Sequence, residues 1–122
     1  IIGIDPGLRR TGWGLIEVRG NALSFVAAGT IRAPLDGPLS ERLVALHAGL
    51  TAVVAAMAPD EAAVEETFVN RDAGATLKLG QARAVAVSAS SAAASSARCF
   101  TSTKTTVLPR RTIRSISPAA VR

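Results

Sequence analysis

Between Pro38 and Pro59, the residues Leu39, Leu43, Leu46, Leu50, Val53 and Met57 recur at spacings of 4, 3, 4, 3 and 4. That rhythm is one face of an α-helix, and so continuous an apolar stripe must lie against another apolar surface. Pro38 stands where the helix should begin, because the first turn needs no N–H from it, and Pro59 ends it. His47 falls off the stripe and is expected to be exposed. Ile1-Ile2-Gly3-Ile4-Asp5 reads as a short buried strand stopped by the turn pair Pro6-Gly7, and Leu8-Arg9-Arg10 as a basic loop. Thr11 to Val18 and Ala22 to Ile31 read as two further strands about the turn signal Gly20-Asn21, which predicts a three-stranded antiparallel meander.

Downstream, Ala62-Ala63-Val64 leads into Glu65-Glu66-Thr67-Phe68-Val69, read as a fourth strand. A second helix is expected from about Asp72 to about Val87, with Asp72 as N-cap and Leu77, Gln81 and Ala84 along one face. Strand, strand, strand, helix, strand, helix is an α/β order with a mixed sheet. At Ser88 the character changes. Residues 88–122 number 35, of which 8 are Ser, 5 Thr, 7 Ala, 5 Arg and 2 Pro, with no sustained period of two or 3.6. By composition this is a basic tail, disordered or weakly structured. The chain thus divides into 1–87, a folded core, and 88–122, a Ser/Thr/Ala/Arg-rich tail.

Charge follows the same division. Residues 1–72 carry all nine acids and six of the 14 basic residues, a net −3, whereas residues 73–122 carry eight basic residues and no acid, +8. A basic segment beside a sparsely acidic one suggests a polyanion partner, nucleic acid before membrane, or else a tail simply of biased composition. No run of apolar residues reaches the roughly 18 expected of a membrane span. Cys99 and His47 are single, which excludes a disulfide framework and a Cys/His zinc site. One free cysteine fits a reducing, cytoplasmic compartment.

Asp5 ends an apolar strand and precedes Pro-Gly, so its carboxylate should project at the carboxyl edge of the sheet, where open α/β folds place their sites. The competing reading is an Asp that caps the turn by accepting backbone N–H groups. Glu65 and Glu66 end the fourth candidate strand, and alternation sends them to opposite faces, so only one can share a site with Asp5. Two carboxylates at adjacent strand ends, with no His or Cys beside them, suit a hard, oxygen-loving cation such as Mg²⁺ and favour phosphoryl-transfer chemistry. Arg9 and Arg10, beside the Asp5 turn, are candidates for phosphate contacts or else a solvated loop. Lys78 and Arg83 read as surface charges on the second helix, and Trp13, between two glycines, as core packing near the site.

Ile4-Asp5-Pro6-Gly7, Thr11-Gly12-Trp13-Gly14, Val64-Glu65-Glu66-Thr67-Phe68 and Leu77-Lys78-Leu79-Gly80-Gln81-Ala82-Arg83 stand in one order at compatible spacing. Together they resemble the RuvC family of crossover-junction endodeoxyribonucleases, over residues 1 to about 87. The resemblance implies a ribonuclease H-like fold and a homodimer that binds four-way DNA junctions, each subunit making one Mg²⁺-dependent nick. It matches Asp5 to the family's first metal-binding carboxylate and Glu65 to the second. Phe68 matches a family aromatic near the junction centre, where stacking on an unpaired base is worth roughly 1–3 kcal/mol; its other reading is a core Phe. The Leu77–Arg83 segment matches a helix used in dimer contact, where Ala75, Gly80 and Ala82 would allow close approach, or would equally pack on their own sheet. The resemblance also suggests a branch-migration helicase as partner.

The sequence departs from the family at its end. The family's two further acidic ligands, in a DxxDA-type pattern on a late helix, have no counterpart, because no acid follows Asp72. The abrupt loss of acids is what an out-of-frame reading of a GC-rich coding sequence would produce. An incomplete core implies impaired cleavage, and the alternative is a non-catalytic DNA-binding fragment with a basic arm. A third reading, a nucleotide-binding ribonuclease H-like protein, is disfavoured by the Val-Glu-Glu-Thr-Phe and Gly-Gln-Ala-Arg segments.

Overall fold

The computed structural model describes residues 1–66 and 71–93. Six elements follow in order: β1 (Ile2–Asp5), β2 (Arg10–Arg19), β3 (Ala22–Arg32), α1 (Leu39–Met57), β4 (Ala62–Val64) and α2 (Ala73–Ala93). The strands form one sheet in the order β3-β2-β1-β4, with β1–β2 and β2–β3 antiparallel and β1–β4 parallel. The expected meander and mixed sheet are both present.

Both helices pack on one face of this sheet. Ile2 and Ile4 of β1, Trp13 and Leu15 of β2, and Ala62 and Val64 of β4 form one buried cluster with Leu50, Val54 and Met57 of α1 and Ala86 and Ala89 of α2. The period of two in β1 and β2 supplies one side of the cluster, and the helical period supplies the other. On α1 the buried positions are Leu46, Leu50, Val54 and Met57; Val53, expected on the stripe, is half-buried beside them. His47 is half-buried rather than exposed, a correction that follows from its adjacency to Leu46 on a helix pressed against both the sheet and α2. By length and mean hydropathy α1 passes as a membrane-crossing helix, a property it shares with core helices.

The chain's punctuation works as expected at three points. Helix α1 begins after Pro38 and ends at Ala58, whose left-handed backbone (φ 42°, ψ 54°) lets its N–H reach the Val54 carbonyl at 2.9 Å. Asp72 caps α2, its Oδ1 accepting from the N–H groups of Gly74 at 2.8 Å and Ala75 at 3.2 Å. Gly20, at φ 61°, makes the β2–β3 turn in a conformation that glycine adopts without steric cost.

Two boundaries differ. The described fourth strand is Ala62–Val64, with Glu65 and Glu66, expected inside it, following its end; residues 67–69 of the expected strand lie outside the described residues. Its partner explains this: β1 is followed by Pro6, which has no N–H to donate, so parallel pairing stops after the bond from the Glu65 N–H to the Ile4 carbonyl. Helix α2 runs to Ala93, beyond the expected end near Val87 and into the segment read as tail. Ala89 and Ser90 are buried there, and the Ser90 hydroxyl donates to the Ala86 carbonyl at 2.7 Å, which suits serine to a helical site that offers no other partner. Phe68 and Cys99 lie outside the described residues.

A candidate carboxylate and arginine site on the open sheet face

The face of the sheet away from the helices is floored by small residues. Alternation turns Gly3, Gly12, Gly14, Ala28, Thr30 and Ala63 outward, and the register pairs them: Gly3 with Gly14 and Ala63, Gly14 with Ala28, Gly12 with Thr30. Asp5 continues this face from β1, opposite Gly12. One step past the pair Ile4–Val64, Glu65 stands beside Asp5, held by its N–H to the Ile4 carbonyl at 2.8 Å. Both carboxylates are exposed. Neighbouring strands stand about 4.8 Å apart, so the two side chains leave one edge of the sheet side by side. Glu66 is exposed as well, at the point where the chain leaves the sheet.

The Asp5 carboxylate does not cap its own turn. That task falls to Thr11, 1 % exposed, whose hydroxyl oxygen accepts from the Gly7 N–H at 3.4 Å and donates to the Gly7 carbonyl at 3.2 Å. A second tie, from the Ala33 N–H to the Arg9 carbonyl at 3.0 Å, fixes the far side of the loop. With the turn held by Thr11, the Asp5 carboxylate makes no hydrogen bond within it, and the turn-capping reading is set aside. Gly12 opposite leaves room, since a Cβ there would stand 3.8 Å from the Cβ of Asp5. Glu61 is a buried acid but belongs elsewhere: its carbonyl accepts from Ile2, at the opposite end of the parallel pair.

Two oxygen-donor side chains suit a cation that keeps most of its waters, the usual habit of Mg²⁺ in phosphate chemistry. Among the described residues no group of three acids, histidines or cysteines gathers, so a dedicated protein cage is not formed by them. Arg9 and Arg10 are exposed at the same end of the sheet. Sequence reasoning missed Arg32, which the register sets directly opposite Arg10. The reason is local. Between Leu15 and Ile16 the β2–β3 register shifts by one, and without that shift Arg10 would face Ile31. Bulges of this kind leave little trace in a single sequence.

Trp13 is 7 % exposed and lies over Gly29, where an added Cβ would come within 2.8 Å of the indole. Lys78 is exposed, while Arg83 is half-buried, with its Nε enclosed and without a hydrogen-bond partner. Leu77, Gln81 and Ala84 do share one face of α2, and it is the solvent face, with Leu77 71 % exposed. Gly80 is exposed too; Ala82, by contrast, is buried in its own fold.

Comparison with known proteins gives the chain a family. Residues 1–109 match the family model of crossover junction endodeoxyribonuclease RuvC. The chain is 67 % identical over 87 residues to the crossover junction endodeoxyribonuclease RuvC of Rhodopseudomonas palustris, covering 71 % of this chain and 50 % of that protein. With the RuvC of Azorhizobium caulinodans it shares 65 % identity over 85 residues, 70 % of this chain and 50 % of the relative. The chain therefore spans about half the length of the curated relatives it matches. Among solved structures it resembles T. thermophilus RuvC in complex with Holliday junction substrate, with a TM-score of 0.67 and 27 % identity over 75 % of this chain and 58 % of that one. A second Thermus thermophilus RuvC structure gives a TM-score of 0.64 at 26 % identity, over 76 % and 59 %. The fold is that of the ribonuclease H-like nucleases, and the chain belongs to the RuvC family of crossover junction endodeoxyribonucleases.

Proposed function

We propose that the chain binds four-way (Holliday) DNA junctions as a homodimer, in the cytoplasm, and that its open sheet face is the nuclease face. In this reading Asp5 and Glu65 hold a Mg²⁺ ion against a scissile phosphate. The observation that carries it is their side-by-side placement past the ends of two parallel strands, on a face that small residues keep clear. When bound, the ion supplies a water of lowered pKa and stabilises charge on the leaving oxygen. The chain's own residues do the rest. Asp5 and Glu65 orient the cation, Thr11 holds the loop that carries Arg9, and Arg9 and Arg10 meet the phosphodiester backbone. Phe68, by family match, stacks on a base at the crossover.

Support for the dimer comes from α2, whose solvent face sets an exposed Leu77 among Gly80, Gln81 and Ala84. Small residues there allow a second helix to approach closely, and an exposed leucine rewards its burial. Support for impaired cleavage comes from the acids: none follows Asp72, and two carboxylates serve one hydrated ion rather than a pair clamping both reacting oxygens. A division into a folded core and a basic, out-of-frame segment after it is part of the same proposal, with α2 carrying the core past the expected boundary at 87 to Ala93, as is a branch-migration helicase partner. The alternative of a non-catalytic DNA-binding fragment rests on the +8 carried by residues 73–122.

The test is a gel series with the 122-residue chain, a labelled four-way junction and a matched duplex, in Mg²⁺ or EDTA. Junction binding above duplex binding, with faint or no nicking, is the expected result. Strong symmetric nicks that need Mg²⁺ and vanish in Asp5→Asn would show a complete metal site and overturn the impairment. Equal binding to both DNAs, lost in moderate salt, would leave the basic-fragment reading alone standing.

A further inference from the structure

We infer that Arg10 and Arg32 form a cross-strand clamp for a backbone phosphate of the nucleic-acid strand that lies on Asp5 and Glu65. The inference rests on the nuclease-face reading above and adds to it a residue, Arg32, and a task. The two arginines are direct partners at the open end of the β2–β3 ladder. Their inner neighbours, Thr11 and Ile31, face the core, so both guanidinium groups belong to the outer face that carries Asp5. Like charges set directly opposite across strands destabilise a sheet, and long exposed side chains gain no packing in return. Among the described residues the ion pair formed is Arg19 with Glu17 at 2.9 Å, at the other end of the hairpin; neither Arg10 nor Arg32 has one. A repulsive pair that no ion pair relieves is what an anion site looks like before its anion arrives.

The chemistry of the anion follows from the neighbours. A free acid or an acidic peptide approaching Arg10 and Arg32 meets Asp5 and Glu65 on the same face and is repelled. A phosphodiester chain is not, because its charges come in series and a cation on the carboxylates can receive one phosphate while the arginines receive another. Two residues along a strand span about 6.6 Å and one strand across about 4.8 Å, so the Arg10 Cα stands roughly 8 Å from that of Asp5. With about 3.4 Å of axis per nucleotide, that separation matches the phosphate two or three steps along. The paired, planar forks of two arginines suit the oxygens of a single phosphate. The clamp fixes the strand's register over the carboxylates without reading a base.

The experiment measures DNA affinity of the full chain against salt concentration, on the junction and the duplex, for wild type, Arg32→Gln, Arg10→Gln and Arg19→Gln. Because the two arginines share one phosphate, losing either of them opens the clamp and should flatten the slope of log K against log salt by up to about 0.9. Arg32→Gln and Arg10→Gln should each show that change with a thermal midpoint unchanged or raised, and Arg19→Gln should keep the wild-type slope. Overturning results are an unchanged slope in Arg32→Gln, an equal loss in Arg19→Gln, or a lowered midpoint, which would make Arg32 a packing residue. Should wild type bind junction and duplex alike, the junction reading fails, and the difference between Arg32→Gln and Arg19→Gln still decides the clamp.

Discussion

The two faces of one sheet divide the work of this molecule. The covered face is built from Ile2, Ile4, Trp13 and Leu15, sealed by Leu50, Val54, Ala86 and Ala89. The open face is built from glycine, alanine and threonine, with Asp5 and Glu65 at one end, beside Arg10 and Arg32. Beyond Gly14 the same outer face carries Ile16 paired with Phe25 and Val18 with Leu23, where Phe25 is 75 % and Leu23 68 % exposed. Alternation makes this division possible, since every second residue of β1 and β2 is free of the demands of the core. Stability is concentrated on one side, so the other tolerates charge repulsion and bare backbone.

That contrast can be broken most severely from the covered side. Leu50 is 1 % exposed at the centre of the cluster, and Leu50→Ala should cost about 2–5 kcal/mol, read as a loss of denaturant midpoint. Next comes a matched glycine pair on opposite faces. Gly29→Ala drives a methyl against the Trp13 indole and should destabilise by about 1–3 kcal/mol. Gly14→Ala meets nothing within 4 Å and should stay within about 0.5 kcal/mol of wild type. Equal effects would mean that the two faces are packed alike. Thr11 joins the faces, since its buried hydroxyl holds the loop after Asp5; Thr11→Val should cost about 1 kcal/mol and raise hydrogen exchange at the Gly7 amide, whereas Thr11→Ser should keep that amide protected. The smallest effect is expected at the end of α1, where Ala58→Gly relieves a left-handed backbone and should raise the thermal midpoint by a degree or more on a gain of roughly 0.5–1 kcal/mol.

The sequence was most legible where periodicity acts alone. The stripe from Leu39 to Met57, the prolines at its ends and the Asp72 cap needed no tertiary knowledge, and Asp5 was legible because Pro6-Gly7 marks a strand end. Glu65 was legible as one of two candidates, but the end of the ladder before it was not: that depended on Pro6, which follows β1. Arg32 was hidden by the register shift at Leu15 and Ile16, a one-residue change that moves every later pairing. Helix α2 outran its expected end where Ala89 joins the core cluster, a tertiary contact that composition alone cannot reveal. Residues whose place is decided by their own neighbours were readable; those decided by a partner strand were not.

The account stands or falls on whether Asp5 and Glu65 act as one site. Titrating Mn²⁺ into the isotopically labelled chain and following paramagnetic broadening of backbone amides tests this directly. Broadening should centre on Gly12 and Glu65, spare Leu50 on the covered face, and disappear from the Glu65 amide when Asp5 is changed to Asn. Broadening at Glu65 that survives Asp5→Asn, or that centres on another acid such as Glu41, would contradict it.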